Sequence, residues 1–97
     1  MALIFHPRIQ QDLTEILEYY ESEAGPQLAD QFYASFIGSA QKAHRLPEHY
    51  HPINSVLRRA NLKNCPYHFL YKITPSGIRV LVLKHDKRYP SYGLRRK

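Results

Sequence analysis

Apolar positions recur every three or four residues along the first half of the chain and every second residue along its last third. The run from Ala2 to Phe5 reads as a short buried strand stopped by Pro7, a residue suited to the first turn of a helix because its missing N–H would be unpaired there anyway. Ile9, Leu13, Ile16, Leu17 and Tyr20 then form one apolar stripe, with Asp12, Glu15, Glu18 and Glu21 expected on the wet side. Gly25 and Pro26 break this helix and start a second, whose stripe is Leu28, Phe32, Phe36, Ala40 and Ala43, widened by Tyr33 and Ile37. It should run to about Leu46 and stop before Pro47. A turn so short makes the two helices antiparallel neighbours.

Beyond a loop from Pro47 to Ser55 the period changes. The run from Val56 to Leu62 predicts a short strand with mixed faces. From Tyr67 to Thr74, Tyr67, Phe69, Tyr71 and Ile73 alternate with His68, Leu70 and Lys72, and a Pro75-Ser76-Gly77 turn leads into a last strand ending at His85. The expected order is β-α-α-β-β-β. This is an α+β fold, a single domain over residues 1–97, with a helical hairpin packed on one face of a small, mostly antiparallel sheet. The opposite face, carrying His68, Lys72, Arg79 or Lys84, is expected to be wet.

Charge divides the chain in the same place. Residues 1–48 carry three Lys/Arg against seven Asp/Glu, a balance of −4; residues 49–97 carry eleven against Asp86 alone, a balance of +10, and together these give the net +6. A concentrated positive field attracts polyanions such as RNA, DNA or an acidic protein. No apolar run approaches the roughly 18 residues that span a bilayer, so no membrane association is expected. The start of the chain is too short in apolar residues for a signal peptide. Cys65 is the only cysteine, which excludes an intrachain disulfide and fits a reducing cytoplasm. It lies before Pro66 with no base placed beside it, and reads as an inert buried thiol. His44, His49 and His51 straddle a loop with no cysteine pair and few acids nearby, so no metal is expected, and no glycine-rich phosphate loop is present.

The basic half carries the candidate chemistry. Cleavage of RNA by its own 2′-hydroxyl needs a proton acceptor, a proton donor for the leaving oxygen and cations for the phosphorane. His85 titrates near neutrality when unperturbed, Arg88 is a permanent cation and Tyr92 can donate a proton, with His68 expected nearby on the adjacent strand. Arg58, Arg59, Lys63, Lys72, Lys87, Arg95 and Arg96 are candidate nucleic-acid contacts, with Arg95 to Lys97 as a mobile electrostatic arm after Gly93.

The sequence Arg58-Arg59, then Pro66-Tyr67 and a strand with Tyr71 and Ile73, then His85, Arg88 and Pro90, resembles the RelE/ParE superfamily of toxins from type II toxin–antitoxin modules. The helical hairpin shares the likeness, which covers nearly the whole chain. The resemblance implies a cytoplasmic toxin with a cognate antitoxin partner and no cofactor. RelE-like members cleave mRNA on the ribosome, which makes a metal-independent endoribonuclease the first expectation here, with His85, Arg88, Tyr92 and His68 as catalytic residues. ParE-like members inhibit DNA gyrase. That alternative, and a non-toxic basic binding module, stay open at this level.

Overall fold

A computed structural model describes residues 2–97. The elements are β1 (Ala2–Phe5), α1 (Ile9–Ala24), α2 (Pro26–Arg45), β2 (His51–Pro52), β3 (Leu57–Asn61), β4 (Tyr67–Thr74) and β5 (Gly77–His85). They form one five-stranded sheet in the order β1-β5-β4-β3-β2. β1 is parallel to β5, and every other pair is antiparallel. The expected α+β architecture holds, with a two-residue edge strand added inside the predicted loop.

The helical hairpin covers one sheet face for the reason its periodicity gives. Ile9 and Ile16 of α1 and Phe32, Phe36, Ala40 and Ala43 of α2 pack on Ala60, Tyr67, Phe69, Tyr71, Ile78, Val80 and Leu83. Burying a large apolar side chain contributes roughly 1.5–3 kcal/mol, so the four rings of Phe32, Phe36, Phe69 and Tyr71 dominate this layer. Tyr20 stacks on Phe32 with centroids 5.3 Å apart, and Phe32 meets Tyr67 edge-on at 5.2 Å. Burial pushes the Tyr20 phenol up to about 12. Leu28, assigned above to the α2 stripe, is instead exposed, and Ala29 takes its place in the core.

Gly77 opens β5 where β1 crosses closest. A Cβ there would lie 1.9 Å from the carbonyl oxygen of Ala2, and the residue has φ +151°. Only a residue without a side chain lets the edge strand reach its register, Ala2 opposite Gly77 through Phe5 opposite Val80.

The second sheet face differs from the wet surface expected. His68 and Lys84 are buried there, and Leu57, Leu70, Leu81 and Val82 form a second apolar cluster with Tyr92 against it. A β-bulge makes this possible. Leu70 pairs with Val82 but Tyr71 pairs with Val80, so Leu81 has no cross-strand partner. The extra residue turns both Leu81 and Val82 to the second face, while Val80 and Leu83 keep the helix side. The cover is the C-terminal segment after β5. Gly93 at φ +80° lets it lie against Val82, where a Cβ would come within 2.6 Å of that side chain.

Candidate functional site

Strand alternation sends neighbouring residues of β4 and β5 to opposite faces. Tyr67 pairs with His85 and His68 with Lys84. His85 lies edge-on to the Tyr67 ring at 4.9 Å, on the helix side. His68 lies on the far side, so the expected meeting of His85 and His68 does not occur.

The turn after β5 is built on His85. The Lys87 backbone N–H donates to His85 Nδ1 at 3.0 Å, and the Arg88 N–H donates to the His85 carbonyl at 3.0 Å. With Nδ1 accepting, the neutral ring carries its proton on Nε2. Arg88 then folds over Tyr92, its guanidinium carbon 4.0 Å from the ring centroid, a cation–π contact. Together with Asp12, Glu15 and Tyr19 these residues line a groove of about 180 Å³ between α1 and the end of β5.

Tyr92 is not free to act as an acid. Its hydroxyl donates to Asp12 Oδ1 at 3.1 Å, and burial, then the Asp12 charge, raise its pKa above the ordinary phenol value. Asp12 is the centre of this network and was expected in water. Its side chain is 2% exposed and pairs with Arg96, itself 10% exposed, at 2.6 Å. Asp12 Oδ2 also accepts the Leu83 N–H at 3.1 Å, and Arg96 Nη1 donates to the Leu81 carbonyl at 3.1 Å. These are β5 backbone groups just past the end of β1, so the ion pair caps an edge that β1 leaves open. The Asp12 contact raises the Arg96 pKa further. A sequence signal for Asp12 existed: it falls three residues after Ile9 and four before Ile16, on the buried stripe rather than opposite it.

His68 is likewise committed. It is 3% exposed and its Nδ1 lies 2.8 Å from Asp86 Oδ1. Burial lowers its pKa below the ordinary imidazole value and outweighs the Asp86 hydrogen bond, with Arg59 adding to the depression. The neutral ring donates from Nδ1 to Asp86, and Arg59 reaches the same oxygen at 3.3 Å. Lys84 extends beneath the tail and donates to the carbonyls of Pro90 at 2.9 Å and Tyr92 at 3.0 Å. Burial, first, and nearby Arg59 lower its pKa.

The remaining predicted contacts divide between groups bound within the fold and exposed ones. Arg58 donates to the Tyr50 carbonyl at 2.7 Å and holds the β2 loop against β3. Arg59 Nε donates to Asn61 Oδ1 at 2.8 Å in addition to its Asp86 contact. Lys63, Lys87 and Arg95 are exposed and Lys72 is half-buried. Arg96 contradicts the mobile arm, because its guanidinium is an interior group that pins the tail. Lys97 is also held, through Arg79 Nε donating to its carbonyl at 3.0 Å. Cys65 is half-buried, and burial pushes its thiol up. Among the described residues no group of three His, Cys, Asp or Glu side chains is arranged to hold a metal ion, and no helix is long and apolar enough to cross a membrane.

Comparison with known proteins places this architecture. A family model described as "ParE toxin of type II toxin-antitoxin system, parDE" matches residues 3–90. A solved structure described as "Chromosomal ParDE TA system from P. aeruginosa" contains a chain that superposes with a TM-score of 0.77. The match covers 88% of this chain and 95% of that one at 16% identity, a likeness of fold. No curated protein matches.

Proposed function

The chain belongs to the ParE toxin family of type II toxin–antitoxin systems, and from that premise we propose that it arrests growth in the cytoplasm by binding and inhibiting DNA gyrase, held in check by a cognate antitoxin. One observation carries the choice of gyrase over mRNA. Of the four groups foreseen for RNA cleavage, two serve the fold: the Tyr92 hydroxyl is bound to Asp12 and the neutral His68 ring to Asp86. Transesterification needs proton transfer at both the attacking and the leaving oxygen. Of the four, His85 alone keeps a free ring nitrogen, and neither Tyr92 nor His68 is available to it as the second acid or base. Arg88, exposed beside it, suits a protein contact, since arginine is enriched among the residues that dominate interfaces.

The test is inducible expression with and without the antitoxin, followed by two readouts. Plasmid topology and a supercoiling reaction with purified gyrase should show inhibition. RNA 5′-end mapping should show no new ends. New ends that vanish in His85→Ala, with gyrase unaffected, would overturn the proposal in favour of mRNA cleavage.

A further inference from the structure

A cleft of about 870 Å³, sharing Tyr92 with the groove described above, lies between the turn entering α1 and the C-terminal tail. His6, Arg8, Tyr89, Arg95, Arg96 and Lys97 line it, and no Asp or Glu does. Arg96 is neutralised by Asp12. The ion pairs among the described residues are Arg59–Asp86, His68–Asp86 and Arg96–Asp12, so Arg8, Arg95 and Lys97 bring three unpaired charges to one opening. Arg8 is also the N-cap residue of the 16-residue α1 and has no side-chain cap, which adds the positive end of a helix dipole. His6 senses this field: burial, then Arg96, Arg79 and Arg8, all hold its imidazole below the ordinary value. At the rim, Tyr89 is 59% exposed. The ring lies edge-on to Tyr92 at 5.6 Å and beside a cation, with Arg88 5.7 Å from its centroid.

We propose that this cleft binds a single-stranded nucleic-acid segment, with phosphates on Arg8, Arg95 and Lys97 and an unpaired base stacked on Tyr89. The cations require an anion with repeated charge. The exposed ring selects among such anions, because a base can lie on it only when unpaired, and a carboxylate-rich peptide has no use for it. DNA and RNA single strands share this chemistry. The cleft is read from charge and shape, independently of which enzyme the toxin stops.

The test is fluorescence anisotropy with the full chain, freed of antitoxin, against labelled dT12. Parallel arms use U12, a 12-base-pair duplex and a twelve-residue glutamate peptide. Three phosphate contacts at about 0.7 counterions each predict a log–log salt slope of about −2. Arg8→Ala with Arg95→Ala should bring the slope to about −0.7 and weaken binding at least tenfold at low salt. Tyr89→Ala should weaken binding roughly five- to hundredfold with the slope unchanged. Arg45→Ala, at the end of α2, should change neither. The ratio of dT12 to U12 affinity identifies the source. All these side chains are exposed, and melting curves check that each variant is folded. Tighter binding of the duplex or equal binding of the glutamate peptide overturns the proposal. So does a double variant no weaker than Arg45→Ala.

Discussion

Arg96→Ala should be among the most damaging single substitutions in this protein. The Asp12 carboxylate accepts four hydrogen bonds, from the Leu83 N–H, the Tyr92 hydroxyl and both Arg96 nitrogens. Removing Arg96 takes away two of them and leaves a carboxylate that is 2% exposed with no countercharge. It also strips the Leu81 carbonyl of that partner. Breaking a buried pair on one side costs about 3–5 kcal/mol. Against a total stability of about 5–15 kcal/mol that is a large share. In a domain of this size it corresponds to a loss of on the order of 15–30 °C in Tm. Asp12→Leu combined with Arg96→Met, which removes both charges and restores apolar volume, should recover to within about 2 kcal/mol of the parent. Urea denaturation followed by circular dichroism gives both values and their coupling. A loss below about 1 kcal/mol for Arg96→Ala would mean that water reaches Asp12 and that the tail is an appendage. A double variant as unstable as the sum of its parts would remove the coupling on which the reasoning rests.

Other outcomes follow from the same geometry. Gly77→Ala forces a Cβ onto the Ala2 carbonyl and should cost about 3 kcal/mol or more; protected amide exchange along β1 would contradict this. His68 is held below its ordinary 6.5 in the folded chain, so the unfolded chain takes up the proton first. Its contribution to stability is complete above about 6.5 and is lost as pH falls below it through the folded value. Tm should therefore drop between pH 7 and 5, less steeply in His68→Gln, and an NMR titration of the ring at or above 6.5 would refute it. Arg88→Ala loses only an exposed cation–π contact with Tyr92, about 0.5–1 kcal/mol, yet should abolish growth arrest; full toxicity with an unchanged melting curve would make Arg88 a solubilising charge.

The helical hairpin, the antiparallel strands and the layer between them were legible because each rests on a local period. Phe32, Phe36, Phe69 and Tyr71 fall where the 3.6- and 2-residue spacings put them. The second face was not legible. Alternation tells that His68 and Lys84 share a side, but not what lies over it. The covering segment, from Asp86 onward, has no period of its own and is rich in charge, so it reads as solvated tail. What turns it into a second layer is a set of contacts that no window along the chain contains. Arg96 meets Asp12 across 84 positions, and Lys84 is satisfied by carbonyls rather than by an acid. The bulge that frees Leu81 and Val82 for this layer is also a matter of pairing. The candidate site inherits the same limit. His85 and His68 look adjacent when strands β4 and β5 are laid side by side, and a one-position offset places them on opposite faces. Charge in the second half of the chain is therefore of two kinds. Arg58, Lys84 and Arg96 have been drawn inward to hold loops and tail, where their loss costs stability. Lys87, Arg88 and Arg95 remain outside, where their loss changes chiefly what the protein can bind.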